Sequence, residues 1–99
     1  MALRESGEDY LEAILMLHRA HGVVRSVDIA DQLGVTKASV SKAMSMLEER
    51  GYVEMAKRDV RLTEKGLARA EHVLEQHLFF RDLLSAAGVD SHVAAEEAC

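Results

Sequence analysis

Residues 26–50, SVDIADQLGVTKASVSKAMSMLEER, decide how this chain is read. Apolar positions recur at Ile29, Ala30, Leu33, Val35, Val40, Ala43 and Leu47 with helical spacing, interrupted at Gly34-Val35. Two short helices joined by a tight turn satisfy that pattern, which is a helix-turn-helix. Gly34 takes the positive φ that the turn demands, and Ala30 is small where the helices cross. Thr36 is placed to cap the second helix. The outward residues of that helix over its first two turns are Lys37, Ala38, Ser39, Ser41 and Lys42. These short polar or cationic groups approach base edges and phosphates without obstruction. With Thr36, and with Ser26 at the start of the first helix, they form the candidate DNA-contacting set.

The 99 residues, 48% of them apolar, suffice for one compact domain, or for one small domain with part of a second. No run of eighteen apolar residues occurs, and the opening MALRESGEDYLE carries acids where a secretion leader needs basic and then apolar residues. The expectation is a cytoplasmic protein with no membrane contact. Cys99 is the single cysteine and cannot form an internal disulfide. Proline is absent, so any linker is helical or very short. The net charge of −5 is unevenly spread, with +1 over residues 24–66 and the acid concentrated at the two ends. A weakly basic middle implies modest, salt-sensitive affinity for nucleic acid. Acidic flanks bearing histidines suit a bound cation, although solvated helix faces account for them as well.

Before the helix-turn-helix, a helix from Glu5 to about His21 turns Tyr10, Leu11, Ile14, Leu15, Leu17 and His18 inward and ends at Gly22. Asp9 and Glu12, three residues apart, lie with Met16 on a neighbouring face, where two carboxylates can converge on one point. An ordinary acidic helix face reads the same way. After the helix-turn-helix, Gly51 stops the second helix. Tyr52–Ala56 and Val60–Thr63 then read as the arms of a β-hairpin with Lys57, Arg58 and Asp59 at its tip. A hairpin in that place is a wing. Arg58, with Lys57 or Arg61, is placed to meet the phosphate backbone or a minor groove, the alternative being a solvated turn.

Thr63 caps a long helix that runs to about Ala87 and closes at Gly88. Leu67, Ala70, Leu74, His77 and Leu78 share one sector of it, extended by Val73, Phe80 and Leu84, while Phe79 and His72 point elsewhere. Apolar groups on more than one face imply a partner subunit as well as an internal core. His77, at the margin of the sector, is either a satisfied boundary residue or a neutral imidazole available to a metal. Val89-Asp90-Ser91 starts a further helix, His92 to Cys99, which has no cap and so implies a longer architecture.

Taken together and in order, ESGEDYLEAILML, DIADQLGVTKASVSKAMSMLEERGYVE, VRLTEKG and GVDSHVAAEEAC resemble the diphtheria-toxin-repressor family of metal-dependent regulators. The similarity covers nearly the whole chain and is closest to the manganese-transport-regulator branch. It implies a mainly α fold with a small β-hairpin wing. Residues 1–63 would form a winged helix-turn-helix DNA-binding domain, and residues 64–99 the first helices of an α-helical metal-binding and dimerisation domain. In the family the metal sits where the two domains meet. Matched position by position, Asp9 falls on the first-helix ligand, Glu12 on the carboxylate that this branch adds, and His77 on the long-helix histidine. Cys99 falls on a ligand that is cysteine in iron-responsive members and commonly glutamate in manganese regulators. A thiolate there moves preference from manganese towards iron(II), cobalt(II) or zinc. The family's further glutamate and histidine ligands fall past Cys99. His72, His92, Glu96 and Glu97 match no ligand, and the wing tip is about one residue shorter than is usual in the family.

The implied function is a metal-dependent transcriptional regulator that represses metal-uptake genes, with Mn(II) or Fe(II) as corepressor. It would act as a homodimer on double-stranded operator DNA, with no small organic substrate. Two recognition helices must enter successive major grooves about 34 Å apart, so a metal that restrains each reading head lowers the conformational cost of binding. One alternative is a winged-helix regulator of the same fold that does not respond to metal. Another is a metal-binding or assembly module without a DNA function. No nucleophile–base pair, glycine-rich phosphate loop or complete catalytic metal set is present in the sequence, which argues against an enzyme.

Overall fold

The computed structural model describes residues 7–86. Four helices and one hairpin follow in the order α1 (Gly7–His21), α2 (Ser26–Leu33), α3 (Lys37–Glu49), β1 (Val53–Ala56), β2 (Asp59–Leu62) and α4 (Glu64–Ala86). The core is apolar throughout. Tyr10, Leu11, Ile14 and Leu15 of α1 meet Ile29 of α2, Val40 and Leu47 of α3, Val53 and Val60 of the hairpin and Ala70 of α4. Each large side chain buried this way contributes about 1.5–3 kcal/mol. α1 touches every other helix and β2, and α4 packs along it.

The helix ends follow local chemistry. Asp28 accepts a hydrogen bond from the Arg25 backbone N–H at 3.0 Å, closing the start of α2. Gly34 (φ 68°) ends that helix in the left-handed region, where its N–H and that of Val35 both reach the Ala30 carbonyl. Thr36 caps α3 as expected, its hydroxyl accepting from the Ser39 N–H at 3.1 Å. Thr63 caps α4. Its hydroxyl accepts from the Gly66 N–H at 3.0 Å and donates to the Gly51 carbonyl at 2.6 Å, tying the end of α3 to the start of α4.

Several sequence expectations need correction. His18 is exposed, and Ala13 takes a place on the buried face of α1 instead. Met44 joins Val40 and Leu47 in the core. Tyr52 and Thr63 flank the hairpin rather than extending its strands, because Thr63 serves as a helix cap. Asp59 is not at the tip. It opens β2 opposite Ala56, leaving a two-residue turn, Lys57-Arg58, with Lys57 at φ 58°. Leu67, Leu78 and Phe80 are exposed, since only Ala70 and Val73 of α4, with Leu74 partly covered, reach the core. The end expected at Gly88, the helix from His92 and Cys99 lie outside the described residues.

Gly66 shows how tightly the wing and α4 are joined. It is buried, and a methyl group built on it collides with the Tyr52 carbonyl, a backbone atom that cannot swing aside. Gly66→Ala is therefore expected to cost about 3 kcal/mol. The expected result is a lower urea midpoint with an unchanged slope.

Candidate nucleic-acid interface and metal centre

The sharp turn at Gly34 and the Thr36 cap fix the direction in which α3 leaves the core. Its buried stripe of Val40, Met44 and Leu47 leaves Lys37, Ala38, Ser41 and Lys42 exposed on the opposite side. Ser45, not anticipated from the sequence, continues that exposed stripe by one turn. Thr36 and Ser39 are less available, because the Thr36 hydroxyl donates to Ser39 Oγ at 3.0 Å while accepting from its N–H. Ser26 is half-buried as the first residue of α2. The face thus carries two lysines and small groups, with no side chain large enough to hold a groove floor away.

At the hairpin, Lys57 and Arg58 are exposed and have no ion-pair partner among the described residues. Arg61 is engaged, its Nε lying 2.8 Å from Asp59 Oδ2. The other carboxylate oxygen of Asp59 accepts from the Val24 N–H at 3.1 Å, and the Val24 carbonyl accepts from the Val60 N–H at 2.7 Å. The connector between α1 and α2 is therefore hydrogen-bonded to the edge of β2. The β-branched pair Val23-Val24 between Gly22 and Ser26 was the available sequence sign of an extended segment.

The carboxylate and imidazole singled out on α1 and α4 do meet. His77 Nδ1 lies 2.9 Å from Glu12 Oε2, with Glu12 mostly covered (16% exposed) and His77 open (46%). Adjacent ligands on a six-coordinate ion with bonds near 2.1 Å are separated by about 3 Å, so one oxygen and one nitrogen at this spacing fit a shared divalent cation. Asp9 is half-buried one turn before Glu12 on α1. Among the described residues, no group of three or more His, Cys, Asp or Glu side chains stands ready to hold a metal ion. The structure brings together two of the four expected ligands, and Cys99 lies outside the described residues. Flanking this pair, Glu8–Arg69 (2.8 Å) and Arg19–Glu71 (3.3 Å) also bridge α1 and α4.

Residues 2–59 match the family model described as the iron dependent repressor, N-terminal DNA binding domain. The chain belongs to the iron-dependent repressor family. Its curated relatives include an HTH-type transcriptional regulator MntR from Listeria welshimeri, 40% identical over 87 residues, which cover 87% of this chain and 61% of that protein. A transcriptional regulator MntR from Escherichia coli is 36% identical over 96 residues, covering 96% of this chain and 62% of its own length. The chain thus spans about three-fifths of the length of those relatives. Among solved structures, the hypothetical protein SSo2273 from Sulfolobus solfataricus superposes with a TM-score of 0.68 at 26% identity, covering 92% of this chain and 70% of that one. NMB1585, a MarR family regulator from Neisseria meningitidis, gives 0.61 at 25% identity, with 90% and 68% covered. The diphtheria-toxin-repressor resemblance and the winged helix-turn-helix are both upheld. No helix among the described residues is long and apolar enough to cross a membrane.

Among the described residues, Asp59 is the carboxylate whose surroundings favour its charged form. The Arg61 side chain first, and then the Val24 N–H, hold its pKa below the ordinary 3.8. A depressed folded pKa contributes stability that is fully present above the unfolded value and is lost as pH falls through the folded one. Below about pH 4 the wild type is therefore expected to lose stability faster than Asp59→Asn, as read by urea midpoints across an acid series.

Proposed function

We propose that this chain is the DNA-reading and first metal-holding part of a metal-responsive transcriptional repressor that takes Mn(II) or Fe(II) as corepressor. The observation that carries this reading is the 2.9 Å approach of Glu12 to His77, because the two residues come from different parts of the fold. Glu12 stands on the helix that supports α2 and α3, whereas His77 stands on α4, beyond the wing. Glu12 and His77 would hold the cation, with Asp9 from the same helix and Cys99 as further ligands. A bound divalent cation supplies positive charge that both helices share. Mn(II) and Fe(II) accept carboxylate and imidazole together. With a proton between them, Nδ1 donates to Oε2. Without that proton, the same two atoms offer lone pairs to a cation.

The DNA-reading assignment rests on Lys37, Ala38, Ser41 and Lys42 of α3 and on Lys57 and Arg58 of the wing, with Thr36, Ser39 and Ser26 at their margins. The division of the chain at Thr63 is proposed on function, since the first half of α4 shares the core of the winged domain through Ala70 and Val73. The later turns of α4 expose Leu78, Phe79, Phe80 and Leu83, with Phe79 at 69%, and this supports assembly of the cytoplasmic protein as a homodimer. The names of the MntR relatives place them among transcriptional regulators, which supports a gene-regulatory role for this chain.

Binding of a duplex selected from random sequence by the wild-type protein tests the reading. Affinity is expected to rise about 5- to 150-fold with Mn(II) over chelator at fixed salt. Glu12→Gln or His77→Ala should remove most of that gain while leaving the metal-free affinity in place. Equal affinity with and without Mn(II) or Fe(II) sinks the metal switch alone. Replacing Lys37 and Lys42 by alanine should weaken binding under both conditions and reduce the salt slope by about 2. No change there sinks the DNA assignment. In sedimentation, Phe79→Glu with Leu83→Glu is expected to convert dimer to monomer.

A further inference from the structure

We infer that Asp59 is a positioning residue for DNA binding: it locks the wing against the α1–α2 connector, so that Lys57 and Arg58 are held at a set distance from α3. The inference rests on the DNA-binding reading above and adds a residue that the reading does not use.

A two-stranded ribbon with four residues in each strand is marginally stable by itself. Its two-residue turn also places Lys57 at φ 58°, a left-handed conformation uncommon for a lysine. The ribbon's inner face is anchored by Val53 and Val60, but that anchor acts at the root and middle of the hairpin. Nearer the tip, the ties are polar. Asp59 directly follows Arg58 and uses its two oxygens separately, one on the Val24 N–H of the connector and the other on Arg61 of its own strand. The reciprocal bond from the Val60 N–H to the Val24 carbonyl completes a closed ring of contacts. Val24 itself is fully buried two residues before α2 begins. The connector is therefore a fixed post rather than a loose loop.

The consequence concerns two contact sets, α3 and the wing tip, that must meet one duplex at the same time. If the wing swings, ordering it is charged against binding. Charge alone predicts the opposite behaviour. Asp59 is an anion next to Arg58 and two residues from Lys57, so removing it should strengthen attraction to phosphates if it acts only through its field. A loss of affinity on removing this negative charge is thus a signature of positioning.

The test is a double-mutant cycle on DNA affinity with the full chain, the selected duplex and Mn(II) at fixed salt. Asp59→Ala is compared in the wild-type background and in Lys57→Ala/Arg58→Ala. Asp59→Asn, which keeps an oxygen for Val24, serves as the milder variant should the alanine destabilise the fold. The expected result is a loss of about 3-fold or more for Asp59→Ala, a smaller loss for Asp59→Asn, and less than about 1.5-fold once the tip cations are gone. Unchanged or tighter binding overturns the inference, and so does an equal loss in both backgrounds, which indicates a general structural role. If the tip variant leaves affinity intact while Lys37→Ala/Lys42→Ala lowers it, the positioning role fails and the DNA reading stands. If neither pair of variants changes affinity, the DNA reading itself fails.

Discussion

The burial of one face of α1 is the constraint on which the rest of the molecule depends. Tyr10, Leu11, Ile14 and Leu15 are almost completely removed from water, and the groups that cover them come from α2, α3, the hairpin and α4. Among the described residues, α1 contributes more buried side chains to the core than any other element. Because a helix has only one circumference, filling that face dictates what remains at its margin. Glu12 remains there, mostly covered, beside the helix that brings His77. The same packing that makes the domain stable also places a carboxylate at the seam with α4.

That seam is polar along much of its length. Glu8–Arg69 and Arg19–Glu71 are exposed ion pairs of the kind that contribute little to stability, and the packing of Ala70 and Val73 holds the helices together. Glu12 and His77 differ from these pairs in being an acceptor and an imidazole, groups that can exchange a shared proton for a shared cation. In the proposed regulator, this is where a change in metal concentration is converted into a restraint on the reading head. The restraint has something to act on because α4 reaches the core only through its first half.

The wing is held by a different kind of contact. Its root is apolar, through Val53 and Val60, and its outer part is fixed by the Asp59 carboxylate and the backbone of Val24. The root of the hairpin is joined to α4 by the Thr63 hydroxyl, by the close approach of Gly66 to Tyr52, and by Lys65, which lies over the Tyr52 ring and donates to the Arg50 carbonyl. The exposed cations at the tip therefore project from a ribbon restrained at its root, at β2 by Val24, and at β1, where the Met55 N–H donates to Glu48 Oε2 at 3.3 Å. A short hairpin with free edges has no comparable reason to hold one orientation.

Local chemistry was legible in the chain itself. The period of apolar residues, Gly34 at the turn, and Thr36 and Thr63 as caps specify helices, their ends and the hairpin between them, because each signal acts within a few residues of its effect. The outward residues of α3 follow from the same periodicity, as do the convergence of Asp9 with Glu12 and the marginal place of His77, to which the family resemblance adds a ligand role. Tertiary structure alone decided which distant groups meet. Nothing in the spacing of Glu12 and His77, or of Val24 and Asp59, states that they touch, since each pair depends on how whole elements pack. For the same reason the sequence placed His18 inside and Asp59 at a tip. Periodicity assigns a side of a helix, and only packing determines which side finds a neighbour.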